Sequence, residues 1–135
     1  MKQITEDYIS FEIAKLLKEK GFDAKCDNCY AYFADDDIRF LNLNYPKSAQ
    51  SLIKDRYPCV TPQLVLKWLR LCYDIIIDVS PNLTLDDVCK GGFMAEVYQY
   101  GHRVPDGEFG CNIGDDYTYE QVVEAALSYV LKNLI

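Results

Sequence analysis

The 135 residues are half apolar and 26% charged, a balance that excludes a disordered majority and supplies enough apolar material for a packed core. Twenty-one acidic against fourteen basic residues leave a formal charge of −7, and a field of that sign repels phosphate backbones and anionic lipid, which argues against nucleic acid and membranes as partners. No apolar run reaches the ~20 residues a membrane-crossing helix needs, and "MKQITEDY" lacks the basic and apolar parts of a leader, so the expected compartment is the cytoplasm.

In "TEDYISFEIAKLLKEKG", Thr5 is placed to cap a helix, Ile9, Ile13, Leu16 and Leu17 form one stripe, and Gly21 follows lysines that complement the negative helix end. Next, "NCYAYFA" and "IRFLNLNY" flank the turn-prone Asp35-Asp36-Asp37 and predict a hairpin. In "TPQLVLKWLRLCYD", Thr61 is the cap and Pro62 the first helical residue. Its polar residues Gln63, Lys67, Arg70 and Asp74 share one narrow stripe, so this helix is expected to be the most buried.

The β-type stretches "IIIDVS" and "FMAEVYQYG" follow, the second alternating Phe93, Ala95 and Val97 against Met94, Glu96 and Tyr98. Residues 101–116, "GHRVPDGEFGCNIGDD", are rich in Gly, Pro and Asp and read as a long loop. The last segment opens with a Thr118-x-x-Gln121 capping box and ends in Leu134 and Ile135, which are costly to leave in water and are expected to dock on the core. The sum is a single α+β domain over residues 1–135, with an antiparallel sheet of about four strands, or two hairpins, packed with three helices.

Cys26 and Cys29 stand at the C-x-x-C spacing of zinc and thiol redox centres. A structural zinc site needs a second close pair of ligands, and Cys59, Cys72, Cys89 and Cys111 are scattered while His102 is the single histidine. A redox pair works best at a helix start, where the helix end lowers the thiol pKa, but here the motif runs into the strand-like "YAYF". Ordinary thiols are therefore expected, with no metal, no cofactor and no disulfide, and Asn82-Leu83-Thr84 is a chance sequon.

His102, Cys111, Asp106 and Glu108 together hold the residue types of a nucleophile, a base and an orienting acid, which makes a small enzyme or ligand-binding protein the alternative reading of the 101–116 loop. Asp106, Glu108, Asn112, Asp115 and Asp116 are oxygen ligands, but their spacing misses the calcium-loop pattern. The glycine-rich phosphate loops, H-E-x-x-H and G-x-S-x-G are all absent, so no catalytic residue is assigned. The acidic runs Asp35-Asp36-Asp37, Asp86-Asp87 and Asp115-Asp116 could imitate DNA, although such runs are usually solvated loops.

Eleven tyrosines are the most unusual feature of the composition. Tyrosine offers wide contact area at low entropic cost, which suits recognition surfaces, but strands also favour it for packing. Tyr30 and Tyr32 share one strand face, as do Tyr98 and Tyr100, and if those strands pair their rings form a patch beside His102.

Three blocks, "YISFEIAKLLKEKGFD", "TPQLVLKWLR" and "YTYEQVVEAALSYVLKNLI", resemble in their order a family of short uncharacterised proteins from Bacteroides-type bacteria and their phages and mobile elements. The resemblance covers about a third of the chain and implies a small intracellular α+β protein of accessory type; it brings no activity, cofactor or site residue. The family's middle is shorter and aromatic-rich, whereas residues 81–117 here form a longer insert around "CKGGF" and "GEFGCNIGDD". The expected role is a non-enzymatic module that binds another protein through Tyr30, Tyr32, Tyr98, Tyr100 and His102.

Overall fold

Ser10, not Thr5, starts the first helix: its Oγ accepts from the Ile13 N–H at 3.3 Å, and α1 runs from Phe11 to Glu19. Gly21, at φ 80°, ends it, and the Phe22 N–H returns to the Leu17 carbonyl at 3.0 Å. The computed structural model of the protein describes residues 4, 7–42, 47–82, 92–111 and 116–135; Thr5, Asp86, Asp87, Cys89, Asn112 and Asp115 lie outside them. The chain is α+β and divides into two compact units, Met1–Pro62 and Gln63–Ile135.

In the first unit, β1 (Asn28–Ala34) and β2 (Asp37–Leu41) form the expected hairpin around Asp35 and Asp36, where Asp36 takes φ 63°, a conformation aspartate tolerates. A short 3₁₀ segment, Lys47–Leu52, leads to β3 (Asp55–Cys59), which pairs antiparallel with β1 on its other side. The order is β2-β1-β3. Pleating sends Ala31, Phe33 and Leu41 to one face, where they are buried with Cys29 and Ile53 packed against them. Tyr30, Tyr32, Ile38, Phe40 and Tyr57 take the other face, because Tyr30 stands opposite Phe40 and Tyr57, and Tyr32 opposite Ile38. The Ile9 N–H donates to the Val60 carbonyl at 2.9 Å, tying the approach to α1 to the end of β3.

The second unit holds α2 (Pro62–Tyr73) from its second residue onward, then β4 (Ile75–Pro81), β5 (Phe93–Gln99), β6 (His102–Phe109) and α3 (Tyr119–Asn133). The strands pair antiparallel in the order β4-β5-β6. The expected capping box holds α3: Thr118 Oγ1 accepts from the Gln121 N–H at 3.1 Å, and Gln121 Oε1 accepts from the Thr118 N–H at 2.9 Å. Val122, Val123, Ala126, Leu127, Val130 and Leu131 are buried as α3 packs on all three strands, and Leu134 and Ile135 are half-buried.

Three expectations are corrected. The strands form two sheets of three rather than one sheet of about four. Each sheet gains an edge strand that the sequence hid: β3 carries Pro58, and β6 carries Pro105 and Gly107 inside what read as a loop. Proline lacks the ladder N–H, and an edge strand needs only one ladder, so proline is tolerated there while weakening the strand signal. The most buried helix is α3, since α2 buries only Val65 and Leu69 and leaves Cys72 exposed and Leu71 70% exposed. A narrow polar stripe says which side of a helix must face water, but the burial of the rest depends on what lies against it.

Candidate functional site

Among the residues expected to bind, Tyr30 and Tyr32 lie on β1, Tyr98 on β5, and His102 opens β6. The strands carrying the two tyrosine pairs do not pair with each other, because they belong to different sheets. Tyr100 is not on a strand face at all: with Gly101 it makes the two-residue turn between β5 and β6, at φ 52° and 78°, and its ring is 69% exposed. The strand pairing on which a single tyrosine patch depended is therefore absent, and within the first unit the rings form a row.

That row runs Tyr8, Phe40, Tyr30, Phe11, Tyr57, with ring centroids 5.6, 6.3, 5.8 and 5.1 Å apart in turn. The three contacts from Phe40 to Tyr57 are edge-on, the geometry that ring quadrupoles favour. Lys15 Nζ stands 5.6 Å from the Phe11 ring and Lys18 Nζ 4.7 Å from the Tyr57 ring. Lys18 also reaches the Asp55 carboxylate and the Arg56 carbonyl, and this ammonium, followed by the Arg56 N–H, holds the Asp55 carboxyl below its ordinary range. The Tyr30 hydroxyl donates to the Ile9 carbonyl at 2.5 Å, so the ring at the centre of the row is fixed.

At the β2 end the row opens to solvent: Phe40 is 48%, Tyr8 39% and Ile38 37% exposed. Tyr32 sits beside this opening and donates its hydroxyl to the Asp35 carboxylate, which raises its pKa. Apart from Tyr30, the members of this row were not singled out from the sequence. Phe40 was legible as a strand residue, but its partnership with Tyr8 joins segments some thirty residues apart in the chain.

A cavity of about 380 Å³ lies in the same unit, lined among others by Cys26, Cys29, Asn28, Gln50, Arg56 and Tyr57, the last member of the row. Arg56 donates to Gln50 Oε1 at 3.3 Å beside it. Burial first, then the neighbouring Asp27 and Cys29, push the Cys26 thiol above its ordinary pKa, and burial does the same to Cys59. Both changes favour the neutral thiol over the nucleophilic thiolate. Cys59 pairs with Asn28 across the ladder while Cys29 pairs with Pro58, so Cys29 and Cys59 point to opposite faces. No three His, Cys, Asp or Glu side chains among the described residues are grouped to hold a metal ion.

His102 opens β6 and Cys111 lies past its end at Phe109, so the length of an extended strand, at ~3.3 Å per residue, stands between them. The nucleophile and base of the alternative reading are thus not brought together. Across the outer face of the second sheet, Tyr98 donates to Glu96 at 2.9 Å, which raises the tyrosine pKa. Arg103 reaches Glu96 at 3.7 Å and pairs with Glu108. Asp106 and Asp116 are exposed. Among the described residues no helix is long and apolar enough to cross a membrane. No family model, no curated protein and no solved structure matches the chain.

Proposed function

We propose that this protein is a non-enzymatic interaction module, an accessory protein of mobile-element type acting in the cytoplasm, and that it binds another protein through the aromatic row of its first unit. The observation that supports this reading is the row itself, fixed at its centre by the Tyr30 hydroxyl and open at Phe40, Tyr8 and Ile38. Rings held by packing lose little entropy on docking, and clustered exposed aromatics are what protein contact sites are rich in. The resemblance of the three sequence blocks supports the accessory, mobile-element part of the proposal.

The test is a paired capture from lysate of a bacterial host, with the natural chain and the Tyr8→Ala, Phe40→Ala double variant as baits. A partner retained by the first and lost from the second supports the reading. Identical retention by both, with the variant still folded by circular dichroism, ends it.

A second reading is favoured by one observation, the cavity beside Cys26 and Cys29, whose volume of about 380 Å³ is in the range of small-molecule sites. It would make the first unit a ligand-binding protein. A thermal-shift screen with small metabolites tests it, and a ligand whose effect survives substitution of both Arg56 and Asn28 would argue against this cavity as the site.

A further inference from the structure

The row ends on a strand with a ladder on one side only. β2 stands at the edge of its sheet, paired to β1, and among the described residues no strand pairs with its outer edge. An unpaired edge presents alternating backbone N–H and C=O groups that can accept a further strand. Along that edge Ile38 and Phe40 project to the face that carries Tyr8, and all three are exposed. Arg39 projects to the opposite face, over the Phe33 ring at 4.4 Å, and its guanidinium is held by both oxygens of Asp37 at 3.0 and 3.1 Å.

Among the described residues, the charge at this edge is one-sided once that pair is set aside. Asp35 and Asp36 are exposed at the turn where β2 begins, and Asp7 is exposed beside Tyr8. A second copy carries the same net charge of −7, so long-range repulsion between copies disfavours self-pairing of β2. A basic occupant removes that penalty.

We propose that the outer edge of β2 accepts an extended peptide segment of a partner protein. The segment adds a fourth strand to the first sheet, sets apolar side chains on Ile38, Phe40 and Tyr8, and places lysine or arginine beside Asp35 and Asp36. The inference rests on the protein-binding reading above and names the chemistry of the partner. Main-chain hydrogen bonds supply affinity, the alternate apolar side chains set the face, and the acidic turn fixes which end of the peptide lies where.

Fluorescence anisotropy with the full chain and labelled synthetic peptides tests it. The parent probe is about seven residues, the usual strand length, alternating valine and threonine with two lysines at one end. The comparison probes carry glutamates in place of the lysines, or backbone N-methyl groups on either the odd or the even residues. Saturable binding of the lysine peptide is expected, weaker by roughly ten-fold or more for the glutamate peptide, and abolished by N-methylation in one register but not the other. Ile38→Lys should weaken binding by roughly ten-fold while leaving the melting temperature in place, since lysine is at home on strand edges.

No binding of the lysine peptide, equal binding of the glutamate peptide, or an Ile38→Lys variant that binds as well as the natural chain would overturn the proposal. Should that variant fail to fold, the two N-methylated probes still decide. If both bind as the parent does, strand addition is wrong while side-chain docking on the aromatic row survives. Sedimentation that finds the chain dimeric through β2 would give the edge to a second copy and overturn the proposal as well.

Discussion

Tyr100 is held in a left-handed conformation at φ 52°, which costs an ordinary L-residue roughly 1 kcal/mol, and its ring is mostly in solvent. Asparagine accepts that conformation more readily, so Tyr100→Asn is expected to raise stability by about 0.5–1 kcal/mol and the Tm by about 2–4 °C in a thermal melt. A lower Tm would mean that the tyrosine ring makes a packing contribution larger than the backbone strain. The thiols offer a second measurement at this scale. Cys72 is exposed, while Cys26 and Cys59 have raised pKa values through burial. A raised thiol pKa means less thiolate at neutral pH, so iodoacetamide should modify Cys72 first, with modification of Cys26 rising only as the pH climbs past the ordinary thiol range. Mass spectrometry of the native chain over a pH series reads this, and equal rates for Cys26 and Cys72 at neutral pH would contradict it. That the C-x-x-C pair runs into a strand was legible in "YAYF", since β1 begins at Asn28. That Cys59 would stand across the ladder from Asn28 was not, because β3 carried no strand signal that a single sequence could raise above its proline.

The elements with a complete local code formed as read. Helix α3 has its cap, its box and its stripe within sixteen consecutive residues, each set by neighbours three or four positions away. Thr118→Ala removes the Oγ1 that accepts from Gln121 and is expected to cost about 1 kcal/mol in a denaturant titration, with little change in slope. No loss would mean that water satisfies the freed N–H equally well. β6 lacked such a code. Its ladder with β5 shifts between Glu96 and Tyr98, and Gly107 lies where a side-chain carbon would come within 2.8 Å of the Val97 Cβ. The glycine that looked like a loop residue is thus where β6 presses close on its neighbour. Gly110, at φ 71°, is tighter still, because a side-chain carbon there would collide with the Phe93 carbonyl oxygen. Gly110→Ala should cost about 2–4 kcal/mol, combining backbone strain with overpacking. A variant as stable as the natural chain would mean that the backbone there moves freely.

At the scale of the whole molecule, a charge of −7 sets which macromolecules can approach. Neither a DNA duplex nor anionic vesicles should be retained even at low salt, where any attraction would be strongest, and retention that weakens as salt rises would contradict this. The same charge draws a basic segment, so a partner engaged at the acidic turn of β2 should bind more weakly as salt increases. Composition and local periodicity by themselves determined the α+β class, the three helices, the hairpin at Asp35 and Asp36 and the sign of the field, because each depends on the chain as a whole or on residues a few positions apart. Only tertiary structure decided that the strands divide into two sheets, that α3 packs on all three strands of the second, and that Tyr30 joins Tyr8, Phe11, Phe40 and Tyr57 while Tyr98 and Tyr100 lie on or beside another sheet. Those outcomes hang on which distant strands exchange hydrogen bonds, and edge strands carrying proline and glycine give one sequence too little local preference to announce it.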